Sequence, residues 1–180
     1  MTKLKTLLLG LGTVLAVLYG IGTYPVNAGP RMPKPLAAVE PAKAAPAVTF
    51  TDVRGARHTL KSYQGKYVLL NMWATWCAPC VAELPALARL KAAAPNITVL
   101  AVDLTGARET PAMAAAFLKG HNAASLGAHV DTGRMFMRSF VVPVMPTTVL
   151  IDPKGRVIAR AEGPAEWASP ASVAYFKSLK

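Results

Sequence analysis

Tyr67-Val68-Leu69-Leu70-Asn71-Met72-Trp73 is a near-continuous apolar run, and it leads through Ala74-Thr75-Trp76 straight into Cys77-Ala78-Pro79-Cys80 at the head of a helical pattern. A strand that is apolar on both faces belongs in the middle of a sheet covered on both sides. From Cys77 to Ala94, Leu84, Leu87, Ala88 and Leu90 share one helical face while Arg89 and Lys91 lie on another, and Pro95-Asn96 ends the pattern. Ile97 to Asp103 reads as a second buried strand. This strand–helix–strand unit limits the chain to folds in which helices pack on the faces of a sheet.

The later segments continue the alternation. Glu109 to Gly120 reads as a helix, with Thr110-Pro111 near its start and Gly120 at its end. Residues 121–131 read as a loop and a short strand, and Thr132 to Phe140 as helical. Thr147 to Ile151 is a strand, Asp152-Pro153-Lys154-Gly155 a turn, Arg156 to Ala161 its hairpin partner, and Ser169 to Leu179 a last helix. The order predicts an α/β domain with a central mixed sheet flanked by helices, over residues 47–180. With 180 residues, 53% of hydrophobic type, the chain has room for one ordinary core and not two. Two cysteines exclude a disulfide-rich scaffold and a four-thiolate metal site built from this chain alone.

Two segments precede that domain. Lys3 and Lys5 are followed by an apolar stretch from Leu7 to Tyr24 without a charge, and at about 1.5 Å per residue its length approaches the ~30 Å hydrocarbon layer. With no acid before Glu40, this predicts a cytoplasmic N-terminus, a membrane-spanning anchor over residues 1–24 and export of the remainder. Tyr19 and Tyr24 stand where an interfacial belt is expected. The alternative is a signal peptide cleaved near Ala28, after the small residues of Val26-Asn27-Ala28, which leaves a soluble exported protein. Residues 25–46 hold six prolines and read as an extended tether that buries nothing.

The chemistry lies at Trp76-Cys77-Ala78-Pro79-Cys80. Cys77 enters the first turn of a helix, where free N–H groups and the positive dipole end stabilise a thiolate. A depressed thiol pKa makes a nucleophile available at neutral pH. Cys80, one turn on and on the same face, is placed to attack a mixed disulfide. Two thiolates are also able to hold Cu(I), with Met145, His58, His121 or His129 as further ligands, so a copper-carrying module stays open. The histidines lack ligand spacing to one another and read as surface residues.

These residues resemble a known group. Trp76-Cys77-Ala78-Pro79-Cys80 with Met145-Pro146-Thr147-Thr148 opening a later strand resembles the thioredoxin fold. Asn71-Met72-Trp73-Ala74-Thr75-Trp76 before the cysteines, and Glu83-Leu84-Pro85 after them, are similar to the TlpA- and ResA-like membrane-anchored thiol-disulfide oxidoreductases. The tail from Val149 through Gly163-Pro164-Ala165-Glu166-Trp167-Ala168 is similar to the TlpA side of that group. The resemblance covers about residues 45–180 and the anchor-and-tether layout. It implies a Cys77–Cys80 redox disulfide and no cofactor. It also implies a cis peptide before Pro146 that sets Met145 beside Cys77 for substrate binding, Trp76 as a contact surface, and Glu83 as the acid/base serving Cys80. Asn71 stands where ordinary thioredoxins carry an aspartate, and it cannot titrate.

The resemblance further implies partners: a membrane thiol-transfer protein of the CcdA or DsbD type as electron donor, and a disulfide-bearing client. It places the protein at the bacterial inner membrane with its domain in the periplasm. TlpA-like proteins reduce a Sco-type copper chaperone and the copper-binding subunit of cytochrome oxidase, whereas ResA-like proteins reduce the haem-binding cysteines of apocytochrome c. The latter usually carry a glutamate after the cis-proline, and Thr147 here tilts the expectation towards the copper pathway. The uncharged Ala78-Pro79 pair points to a reducing rather than a strongly oxidising site. Residues 47–180 hold fifteen Lys and Arg against eight acids, scattered without a nucleic-acid motif; they read first as an ordinary solvated surface, with attraction to an anionic client or lipid surface as the alternative, and nucleic acid is not an expected partner.

Overall fold

A computed structural model describes residues 29–180. The sequence-expected anchor, residues 1–24, and the Val26-Asn27-Ala28 site lie outside the described residues. Among those described, no helix is long and apolar enough to cross a membrane.

Eight strands form one mixed sheet: β1 (Ala37–Ala44), β2 (Thr49–Asp52), β3 (Arg57–Thr59), β4 (Tyr67–Trp73), β5 (Ile97–Asp103), β6 (His129–Val130), β7 (Thr147–Ile151) and β8 (Arg156–Glu162). Their spatial order is β1-β8-β7-β4-β5-β6-β2-β3. Among the described residues the α-helices are α1 (Ala78–Ala93), α2 (Pro111–Gly120), α3 (Phe136–Ser139) and α4 (Pro170–Ser178). β4 pairs in parallel with β5 and antiparallel with β7, so the apolar run occupies the middle of the sheet as its composition requires. Alternate residues of β4 feed two cores. Leu69 and Trp73 join Leu84 and Leu87 of α1, Leu118 of α2 and Phe176 of α4. Val68, Leu70 and Met72 join Phe50 of β2, Phe136 of α3 and Val149 of β7. The two-residue period of the strand thus sorts one run into two layers.

The helices start where side chains replace missing backbone partners. Thr110 caps α2 by accepting from the Met113 amide at 3.2 Å, and Ser169 caps α4 by accepting from Ser172 at 3.2 Å, each followed by a proline. The segment Thr132 to Phe140 is helical only from Phe136 to Ser139. Asp131 reorganises what precedes it, since its two carboxylate oxygens accept from the Met135 and Phe136 amides at 3.0 and 2.8 Å. Within 121–131 the expected short strand is β6, parallel to β5.

Residues 37–44 correct the expected tether. They form β1 on the edge of the sheet, antiparallel to β8. Pro41 is tolerated there because an edge strand has a side that needs no donor, and the pairing slips between Ala38 and Lys43 around it. Just before β1, Leu36 is 5% exposed and sits in the core with Trp167 and Phe176. Replacing Leu36 with alanine is therefore expected to lower stability by about 2–3 kcal/mol, read as a shift in the urea midpoint, as for other buried leucines. An unchanged midpoint is the result an idle tether gives.

Candidate active site

The central strand delivers the cysteines. β4 ends at Trp73, the chain turns through Ala74-Thr75-Trp76, and Cys77 takes the N-cap of α1 with extended backbone angles. Its sulfur accepts from the Cys80 amide at 3.3 Å, and its carbonyl accepts from Val81 at 3.0 Å. Cys77 and Cys80 are joined in a disulfide with Cα atoms 5.3 Å apart. Cys77 is 5% exposed and Cys80 fully buried, so the first sulfur is the one a partner meets. Both elements of the thiolate argument are present: the sulfur lies at a helix N-terminus, and an amide N–H points at it.

The turn before Cys77 is tied to the end of β5. Trp73 and Asp103 are register partners, and Leu104 donates to the Trp73 carbonyl at 2.8 Å. Buried Asp103 accepts from the Thr105 amide at 2.7 Å and from its hydroxyl. Thr105 Oγ1 in turn accepts from the Thr75 amide at 2.9 Å, and its carbonyl accepts from Trp76 Nε1 at 3.3 Å. Desolvation pushes the Asp103 carboxyl above its ordinary pKa. The sequence carries little sign of the Asp103–Thr105 tie beyond an acid that closes a largely apolar strand.

Across from Cys77 lies the loop before β7. The Met145–Pro146 peptide is cis, as the resemblance implies. Thr147 Oγ1 donates to the Val144 carbonyl at 2.6 Å, and Gly163 donates to the Pro146 carbonyl at 2.8 Å. A cavity of about 420 Å³ is lined by Trp76, Cys77, Pro79, Met137, Val144 and Met145. Trp76, Cys77 and Met145 are thus brought together, with Pro146 buried at the root of the loop. Trp76 is 63% exposed, whereas Trp73 is buried beneath it in the core.

Glu83 lies one turn after Cys80 and is buried. Its Oε1 accepts from Asn71 Nδ2 at 2.7 Å, and its Oε2 accepts from the Ala165 amide at 3.1 Å and Trp167 Nε1 at 2.9 Å. Asn71 Nδ2 also donates to Thr148 Oγ1 at 2.9 Å, while Asn71 Oδ1 is buried without a partner. Three donors favour the carboxylate, yet desolvation outweighs them and the Glu83 pKa is pushed up to about 6. A protonated Glu83 has a hydroxyl to donate, and a half-turn of the Asn71 amide presents Oδ1 as its acceptor. A cavity of about 910 Å³ reaches Glu83 from solvent past Pro79, Ala82 and Pro164, and Lys34 and Pro35 form part of its wall. The segment expected to be a tether therefore borders the titrating carboxyl. In the sequence Ala165 and Trp167 are marked only by the tail resemblance, and nothing local links them to Glu83.

The histidines are partly buried and play no part here. His58 Nε2 bonds Asp52 at 3.0 Å, His129 meets Phe50 edge-on, and His121 stacks on Phe117. Their expected surface placement is corrected by these aromatic and acidic neighbours.

A disulfide-forming cysteine pair at the head of a helix that follows a central strand, facing a cis-proline loop, defines a thioredoxin-fold oxidoreductase. The Redoxin family model matches residues 40–175. The chain is 34% identical over 127 residues to the thiol-disulfide oxidoreductase ResA of Bacillus thuringiensis subsp. konkukian, covering 69% of this chain and 71% of that one. Among solved structures, the exposed lipoprotein thioredoxin Etrx1 of Streptococcus pneumoniae superposes with a TM-score of 0.62 at 28% identity, over 74% of this chain and all of that one. A secreted disulfide oxidoreductase of Mycobacterium tuberculosis, homologous to E. coli DsbE, superposes with a TM-score of 0.53 at 26% identity, over 63% of this chain and 81% of that one. The chain belongs to the Redoxin family, as a thiol-disulfide oxidoreductase of the TlpA/ResA group.

The raised Glu83 pKa has a stability signature. A carboxyl whose folded pKa lies above its unfolded value stabilises the fold at low pH, and that contribution is lost as pH rises through about 6. Between pH 4 and pH 7 the loss amounts to roughly 2 kcal/mol. Chemical denaturation across this range is expected to show that falling component in the oxidised protein and not in Glu83→Gln. Parallel curves for the two proteins contradict the burial-driven shift.

Proposed function

We propose that this oxidoreductase is an exported, membrane-tethered reductase that delivers electrons to disulfides of copper-handling proteins in cytochrome oxidase assembly. Its clients on this reading are a Sco-type chaperone and the copper-binding oxidase subunit. The observation that carries the reductase reading is the buried Glu83, held by Asn71, Ala165 and Trp167 one turn beyond Cys80. An electron-delivering dithiol must lose the proton of its buried resolving thiol, and a carboxyl with a pKa of about 6 is ionised at neutral pH and ready to take it.

The reduced pair works in two displacements. The Cys77 thiolate attacks one sulfur of the client disulfide, forms a mixed disulfide and expels the other client sulfur as a thiolate. Cys80 passes its proton to Glu83 and attacks Cys77, which closes the Cys77–Cys80 bond and expels the second client sulfur as a thiolate; the client takes up two protons, one by way of Glu83 and one from solvent, and leaves as a dithiol. Two electrons pass to the client and the protein is left oxidised. A membrane thiol-transfer protein of the CcdA or DsbD type then restores the dithiol by the same exchange. Trp76 and Met145 flank the sulfur where the client backbone enters, and Pro146 holds that loop. The anchor over residues 1–24 keeps the domain at the periplasmic face of the bacterial inner membrane.

Thr147 supports the copper clients. It follows the cis-proline, is fully buried and turns its hydroxyl back onto Val144, so the loop presents no carboxylate at that position. The identity to ResA favours the second reading, reduction of apocytochrome c haem-binding cysteines. Trapping separates them. In Cys80→Ser the mixed disulfide cannot be resolved, and the bound client is expected to be a copper-site protein. Recovery of apocytochrome c instead moves the assignment to the second reading. In a turnover assay with both cysteines intact and a model disulfide as substrate, Glu83→Gln is expected to slow reduction near neutral pH by roughly 100-fold and to remove the rate limb near pH 6. An unchanged pH–rate profile removes Glu83 from the mechanism.

A further inference from the structure

The cavity beside Cys77 has a neighbour with which it shares a wall residue. Met137 lines it and also lines a second cavity of about 690 Å³, whose wall includes Gly106, Asp131, Arg134, Arg138 and Ser139. The two cavities that share Met137 set the reactive sulfur and apolar side chains at one end of this surface and two arginines at the other. Its apolar stretch is open to solvent: Met137 is 45% exposed and Val144 46%, next to the exposed Trp76. Its far end carries net positive charge. Asp131 is buried, and both its oxygens are taken by the Met135 and Phe136 amides, so its charge is spent on capping α3. Arg134 and Arg138 are exposed and join no ion pair among the described residues. Arg134 stands on a left-handed backbone at φ 52°, a conformation uncommon for a side chain of its kind.

Thiol exchange supplies the occupant. The client sulfur must reach Cys77, so the segment carrying it lies in the first cavity, and the chain on one side of that cysteine passes over Met137 into the second. The side chains that suit this path are apolar next to the cysteine and anionic beyond it, because a guanidinium receives a carboxylate through two parallel hydrogen bonds. We infer that Arg134 and Arg138 select clients whose reactive cysteine lies in an extended segment with apolar neighbours and with Asp or Glu a few residues further on. This selection rests on the dithiol reading of Cys77 and Cys80 and adds to it the charge pattern of the substrate.

The test uses the full chain, reduced and in detergent, in single-turnover reactions with three cyclic disulfide peptides that differ only in carrying Glu, Gln or Lys in the flanking run. Neutral dithiodipyridine is the fourth substrate. The Glu peptide is expected to react about 10-fold faster than the Lys peptide at low salt, with the gap closing as salt is raised. Arg134→Glu/Arg138→Glu is expected to invert the order of the peptides, and Arg134→Gln/Arg138→Gln to level it. Each variant's rate with dithiodipyridine reports whether its dithiol is intact. Equal rates for the three peptides with the unaltered protein, alongside normal reduction of dithiodipyridine, overturn the selection and leave the redox reading standing. Failure to reduce any of the four substrates overturns both.

Discussion

The Cys80 amide pointing at the Cys77 sulfur, at the first turn of α1, is the contact on which the remaining chemistry depends. A sulfur in that place meets unpaired N–H groups and the positive end of the helix dipole, which lower the energy of its anion without any nearby cation. The sheet exists, for this purpose, to hold that turn still. β4 is paired on both sides, and the β5 end reaches over through Asp103 and Thr105 to hold Thr75 and Trp76. A helix start anchored by two neighbouring strand ends cannot drift relative to the cis-proline loop that β7 carries.

Glu83 opposes Cys77 in character. The first group is a sulfur whose anion, once the pair is reduced, is favoured by the amides of a helix N-terminus; the second is an acid whose charge is disfavoured by burial although three donors face it. Separating the two environments by two helical turns gives one group able to attack as an anion and another able to hold a proton near neutrality. Glu83 is held by three donors from two sides: by β4 through Asn71, and by the tail after β8 through Ala165 and Trp167. The wall of its cavity is completed by Lys34 and Pro35, ahead of the edge strand. Catalytic groups, sheet edge and tail thus meet around one carboxyl.

The central part of this arrangement was legible in the residues. An unbroken apolar run ending at Trp73 belongs in a doubly covered strand, and a Cys-x-x-Cys pair at its exit with a proline between belongs in a first helical turn. Other parts carried no local signal. β1 is built of four alanines with one valine, glutamate, proline and lysine, a composition that gives no alternation, and it is held by its pairing with β8 rather than by burial of its own side chains. β2 and β3 are four and three residues long, too short for a period to show. The bond from Trp167 to Glu83 spans 84 positions, and no periodicity links two residues so far apart. Asp131 looked like a loop acid, yet its capping of α3 is what shortens the helix expected over Thr132 to Phe140. Local pattern reports burial and helix starts; it does not report which tail folds back onto a buried charge.

The most direct check is the rate at which iodoacetamide alkylates the fully reduced protein as pH is varied, because buried Cys80 leaves Cys77 as the reacting thiol. The account predicts a titration midpoint well below the ~8.5 of an ordinary cysteine, with the plateau already reached near neutrality. A midpoint at that ordinary value means that the helix terminus does not stabilise the Cys77 anion, and the mechanism built on it falls.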